Sequence, residues 1–222
     1  MIAPQEDTNT MRALQRLDDT DPSVRLRAAL AVGTAPDIRS VGTLVERSAI
    51  EPEFSVRDML TWALTRHSPS ITVPVLIAEL RSERAQARSQ ALHTLSKVGD
   101  RQAWPAITRD LLTDADNEVA RSAWRAAVAL VPQGAEAGLA DVLATQLGRG
   151  ERETQLSLSR ALTALGEVVM PVLRAAMTDA VPRVREHAIA TERLVRDPDA
   201  GFGFAIEEAK RIVALGRSGH EG

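Results

Sequence analysis

One pattern returns along this chain about every 32 residues. It is plainest in DPSVRLRAALAVG at 21–33 and recurs in SVRDMLTWAL from Ser55, QARSQALHTL from Gln86, EVARSAWRAAVAL from Glu118, LSLSRALTALG from Leu156 and RVREHAIATERL from Arg183. The first core position of each string is Val24, Val56, Ala87, Val119, Ser157 and Val184, in steps of 32, 31, 32, 38 and 27. Four residues later stand Ala28, Leu60, Ala91, Ala123, Ala161 and Ala188, small side chains that let two helices approach closely. A fixed period of this size marks a helical array, because one short helix pair cannot bury its apolar stripe without a neighbour.

A second motif precedes the first by 13 or 14 residues in most units. PVLIAEL from Pro74, PAITRDLL from Pro105 and PVLRAAM from Pro171 each begin on proline, which starts a helix without losing a hydrogen bond. MRALQRL from Met11 and GTLVERS from Gly42 fill the same slot without it. Asp21 and Pro22 suit a cap and first turn, and Gly33 suits a stop. Each unit reads as a first helix, a tight turn and a second helix. The expected fold is therefore all-α, a right-handed α-α superhelix of about six hairpins at 8–34, 37–67, 70–99, 101–131, 135–166 and 167–196, as a single domain over 1–222. An amphipathic helix at 203–216 would cap the open end, docked by Phe202 and Phe204, with Glu207, Glu208, Lys210 and Arg211 outward. The longer loop GRGERE at 148–153 accounts for the 38-residue step and reads as a hinge.

The strings VRLRAALAVG and the proline-started first helices resemble the HEAT-repeat family, especially its bacterial short-repeat branch of phycobilisome-lyase type, over about residues 8–196. That family often has arginine at the second position of the second helix. Arg25, Arg57, Arg88 and Arg185 match, whereas Ala120 and Leu158 would interrupt an arginine ladder between turns. The resemblance implies that the second helices line a concave surface. Positions 3, 4, 7 and 11 of those helices lie opposite the core stripe at 100° per residue and would face that groove.

This arc gives the candidate partner-binding residues Leu26, Leu30, Met59, Trp62, Arg66, His93, Arg121, Arg125 and Arg160. Its start is apolar where polar residues would be ordinary, and its middle is cationic with little acid. Apolar anchors beside arginine have the composition of a binding hot spot. Ser89, Ser122, Ser159, His187 and Ala190 fall on the same arc. Trp124 lies beside the core stripe and reads as structural, and Trp104 as a staple before Pro105.

Chemistry is harder to find. No cysteine exists to form a disulfide, a thiolate site or a nucleophile, and His67, His93, His187 and His220 show no metal-ligand spacing. There is no phosphate loop or nucleophile elbow, and no cofactor is implied. The expectation is a binding protein rather than an enzyme, without metal, located in the cytoplasm. The run MIAPQEDTNT has no signal-peptide pattern, and no apolar run reaches membrane-spanning length. Its partner is expected to be a protein or peptide. Some HEAT-like solenoids are DNA glycosylases with a basic groove, a Trp and a catalytic Asp; that resemblance would point to Trp104 and Asp110 here, with Arg109, Arg121 and Arg125 facing backbone phosphates. The net charge of −3, with only Lys97 and Lys210 as lysines, weighs against nucleic acid. Nothing marks a tetrapyrrole pocket, as a bilin lyase would need. A self-associating module is the other alternative.

Overall fold

A computed structural model of the chain describes residues 4–197 and 201–218. Among them there are thirteen α-helices and no strand. The hairpins are α1 (Pro4–Gln15) with α2 (Pro22–Thr34), α3 (Val41–Ser48) with α4 (Phe54–Thr65), and α5 (Pro69–Glu79) with α6 (Ala85–Val98). They continue as α7 (Arg109–Leu112) with α8 (Asn117–Leu130), α9 (Glu136–Ala144) with α10 (Arg152–Ala164), and α11 (Met170–Ala176) with α12 (Pro182–Arg196), followed by α13 (Phe202–Ser218). Where the repeat led to one array, the chain forms two compact units, the first ending at Ile107 and the second beginning at Thr108.

Each unit is a stack of the α-solenoid kind. In the first, α2 packs on α4 and α4 on α6, while α3 packs on α5. In the second, α8, α10, α12 and α13 form one row, and α7, α9 and α11 the other. The small residues expected at the close approaches are buried, among them Ala28, Ala91, Ala123, Ala161 and Ala188, and Val56, Leu60 and Val119 are buried with them. On α2, Ala31 is exposed and its neighbour Val32 is buried. Trp124 is wholly enclosed and donates its indole N–H to the Leu112 carbonyl at 2.8 Å, the pairing a buried indole needs.

Two proline-led starts differ from expectation. Helix α5 begins at Pro69 after Ser68, so Pro74 sits inside it. Ser-Pro is itself a good start, and Pro74 is exposed, so its ring can turn outward. Trp104 and Pro105 lie within a 3₁₀ turn over Arg101–Ala106, and the following helix begins only at Arg109, capped by the Thr108 hydroxyl. Of these three proline-led motifs, the one at Pro171 has its proline in the first turn of α11 as expected, and Pro22 likewise opens α2 behind the Asp21 cap.

The repeated arginine has a specific job. The Nη1 atoms of Arg25, Arg57, Arg88 and Arg185 each donate to two carbonyls of the turn inside their own hairpin: Asp19 and Thr20, Glu51 and Pro52, Ser82 and Glu83, Asp179 and Ala180. Each bond satisfies oxygens that a tight turn leaves bare. Where Ala120 cannot do this, Arg149 reaches from the next hairpin to the equivalent carbonyls of Asp114 and Ala115, and also to Asn117. Thus GRGERE is a strap rather than a hinge. Gly148 and Gly150 take the positive φ values that let the strap bend, and Arg183 in turn donates to the Gly150 carbonyl at 2.5 Å.

An ionic knot is buried in the first unit. Arg25 donates to both oxygens of Glu51 at 2.8 and 2.7 Å, and Arg47 donates to Oε2 at 3.0 and 2.7 Å. The Glu53 N–H adds a bond to Oε1 at 3.0 Å. Glu51 is 0% exposed. Burial alone would push its carboxyl up, but these donors together hold it at about 2, below its ordinary 4.5.

Candidate functional site

The nine candidate residues fall into two groups. Leu26, Leu30, Met59, Trp62, Arg66 and His93 belong to the first unit, and Arg121, Arg125 and Arg160 to the second. In the first unit the packed pair α2 and α4 carries an apolar patch. Leu30 is 45% exposed and Trp62 38%, with Leu26 and Met59 half-buried beside them. Arg66 caps α4 and holds its guanidinium 6.0 Å from the centre of the Trp62 ring, a cation–π distance. His93 is half-buried on α6, which packs against α4.

The residue that sequence reasoning missed is Gly33. It is no helix stop, since α2 continues through it to Thr34. A Cβ there would overlap the Trp62 ring and come within 2.8 Å of the Ala63 Cα. Glycine therefore makes the seat on which the indole lies, leaving its outer part to solvent. A glycine one helix away from an exposed tryptophan is not a signal visible in sequence. We expect Gly33→Ala to lower stability by about 1–3 kcal/mol through overpacking, despite the roughly 1 kcal/mol that alanine gains in helix propensity. It should also shift Trp62 fluorescence to longer wavelength. Greater stability with unchanged emission would show that the seat does not exist.

The second group is engaged differently from expectation. Arg121 is not an open cation: its Nη1 meets Glu118 at 2.8 Å and its Nη2 meets Glu153 at 2.7 Å. Arg125, one turn further along α8, donates to the Ser122 hydroxyl at 3.1 Å. Arg160 on α10 is exposed. The rest of the expected groove row is partly wrong. Ser89, Ser122, Ser159, His187 and Ala190 are buried, because each second helix is covered on both flanks by its neighbours in the row.

Ser159 and His187 form a couplet that superficially suggests a nucleophile and its base, with Oγ 2.9 Å from Nε2. The bonding assigns the opposite proton arrangement. Nδ1 accepts the Gly148 N–H at 3.0 Å, so the ring proton sits on Nε2, which faces the Gln155 carbonyl at 3.0 Å. Ser159 also bonds Thr191 at 2.7 Å, and His187 meets Phe202 edge-on with centroids 6.1 Å apart. Burial, only partly opposed by Gln155, lowers the imidazole to about 4. The couplet ties the strap to α12 and α13, and Phe202 docks the terminal helix as expected. The side chain of Phe204 and all of His220 lie outside the described residues. An equivalent couplet joins Ser40 and His67 in the first unit at 3.0 Å, and His67 Nδ1 faces the Ala63 carbonyl at 2.9 Å.

Trp104 is half-buried at the end of the first unit, whereas Asp110 and Arg109 are exposed at the start of the second. No group of acidic or histidine side chains able to hold a metal occurs among the described residues. Nor is any single helix there long and apolar enough to cross a membrane.

No family model matches the chain, and no curated protein does. Among solved structures, the complex of CpcE and CpcF of phycocyanin lyase from Nostoc sp. is similar in fold. The identity is 18%, over 86% of this chain and 78% of that one, with a TM-score of 0.50. This likeness is one of fold and agrees coarsely with a HEAT-like helical repeat. It also corrects one expectation. The sequence argued against an enzyme because familiar catalytic motifs were missing, yet a fold of this type occurs in a lyase complex, so the missing motifs do not exclude catalysis.

Proposed function

We propose that this chain is a protein-interacting scaffold, and that the α2–α4 face of its first unit receives apolar side chains of a partner segment. The observation that carries the reading is the exposed pair Leu30 and Trp62, with the indole seated on Gly33 and Arg66 over its ring. A rigid aromatic with an arginine over its ring is the composition of an interface anchor, because little side-chain entropy is left to lose on binding. Leu26 and Met59 would widen the contact. His93 would border it from α6.

The fold neighbour is a complex of two named chains, which supports a partnered role, and membership of an enzyme complex is compatible with it. We also read the chain as belonging to the short-repeat branch of the HEAT family, from VRLRAALAVG and its regular period. A cytoplasmic setting remains the reading from sequence. The experiment is a photo-crosslinking amino acid placed at Leu30 in the native cell, with the adducts identified by mass spectrometry. We expect one dominant protein adduct that is lost in the Trp62→Ala background. Adducts only to a second copy, only to nucleic acid, or equal in both backgrounds would overturn the proposal.

A further inference from the structure

One turn of the first unit, from Ser48 to Phe54 between α3 and α4, is held from four helices. Arg25 of α2 and Arg47 of α3 close on the Glu51 carboxylate, and no other carboxylate among the described residues is buried. Arg57 of α4 donates to the Glu51 and Pro52 carbonyls, and Gln86 of α6 donates to those of Ser48 and Glu51 at 3.1 and 2.8 Å. A buried ionic knot adds little net stability over apolar residues of the same shape, because desolvating its charges offsets most of their attraction. What it fixes here is the path of the backbone. The turn so fixed presents two large apolar side chains to solvent. Ile50 is 51% exposed and Phe54 74%, the highest value of any large apolar side chain among the described residues. Arg57 also holds its guanidinium 5.9 Å from the centre of the Phe54 ring, so the ring is seated as well. In the other hairpin turns only Val181 is comparably exposed, with no buried carboxylate beneath it.

We propose that this turn is a second contact surface, a fixed tip whose Phe54 and Ile50 enter an apolar pocket on a partner protein, with a partner lysine or arginine at the pocket edge meeting Glu53 and Asp58. The two carboxylates bracket Phe54 on α4, and both are exposed, whereas Arg25, Arg47 and Arg57 turn inward onto the turn. Farther out the signs are mixed: Asp19, Asp21 and Arg27 on the side of α2, and Arg81, Glu83 and Arg84 on the side of α6. Carboxylates beside the ring disfavour an anionic bilayer, a nucleic acid or the same tip of a second copy, and favour a basic pocket edge. The bracing then has a reason: a ring and a backbone already in place have little freedom to lose when a pocket closes on them. The tip adds to the α2–α4 reading without resting on it, since Phe54 stands eight residues before Trp62, about 12 Å along α4.

The test places a photo-crosslinking phenylalanine analogue at Phe54 of the full chain in the native cell. The captured protein is identified, purified and titrated against the parent and its variants, which is the deciding step. We expect Phe54→Ala to weaken binding about tenfold or more while melting with the parent, because the ring is exposed. The double variant Glu53→Lys with Asp58→Lys should weaken it about tenfold, and added salt should weaken the parent more than this variant. Vesicles of equal phosphatidylcholine and phosphatidylglycerol, run in parallel, should not sediment with the chain. Failure to capture any protein would overturn the proposal, as would capture of a second copy alone or vesicle binding that Phe54→Ala abolishes. Parent-like affinity of either variant would do the same. The Leu30 crosslink is scored separately, so its failure bears on the α2–α4 face and leaves the Phe54 titration standing.

Discussion

Glu51→Ala will destabilise the first unit by about 3–5 kcal/mol, among the largest effects expected of a single substitution in this chain. The carboxylate is fully enclosed, and its removal strands Arg25, itself only 5% exposed, with no countercharge in the interior. Arg47 also loses its partner, keeping only a 3.5 Å contact with the exposed Asp18. Breaking a buried ion pair is costly because the remaining charge must be desolvated alone, whereas replacing the whole knot removes that penalty. The double variant Arg25→Met with Glu51→Leu should therefore recover much of the loss. Urea unfolding followed by hydrogen exchange at the amides of α2, α3 and α4 checks both. If Glu51→Ala costs less than about 1 kcal/mol, the knot contributes nothing beyond a surface pair. The sign with pH is that of a depressed carboxyl. Its stabilisation is complete above about pH 4.5 and disappears as the pH falls through about 2.

That knot also shows where sequence reading stops. The repeat, the hairpins, the small residues at helix contacts, buried Trp124 and the terminal helix follow from spacing alone, because each is a local consequence of helical geometry. Glu51 sits in SAIEPEF, which reads as a polar turn, and its partner Arg25 is 26 residues away. Only the stacking of hairpins brings the two together. The same holds for the Arg149 strap, whose target turn lies 34 and 35 residues earlier, and for the seat that Gly33 makes for Trp62. The candidate face was half legible. A helical wheel separates core from outside, and it correctly left Leu30, Trp62, Arg66, Arg125 and Arg160 exposed. It treats each helix as having one covered side, however, whereas a helix in a row is covered on three. That is why Ser159 and His187 moved from the expected groove into the seam between second helices.

The seam makes the second unit the acid-sensitive one. An unfolded histidine takes up a proton near pH 6.5, but His187 in the folded unit resists protonation until about pH 4, because charging it would place a cation in an enclosed site and break the bond from the Gly148 N–H. Below about pH 6.5 the unfolded chain therefore binds one more proton than the native unit, and native stability falls with pH until about 4, where the difference saturates. The total is on the order of 3 kcal/mol. Glu51 acts in the other unit and at lower pH, so the two windows should separate. Hydrogen exchange at pH 7, 5.5 and 4.5 should show α10, α12 and α13 losing protection before α2 and α4. His187→Gln should start less stable by about 1–3 kcal/mol at pH 7, since Gly148 and Ser159 lose well-aligned partners. As the pH falls to 4.5 its deficit should shrink, because the variant has no imidazole to protonate on unfolding. A deficit that stays constant from pH 7 to 4.5 would show that His187 takes up its proton as readily in the folded unit as in the unfolded chain, and the proton arrangement derived from its Gly148 and Gln155 bonds would have to be abandoned.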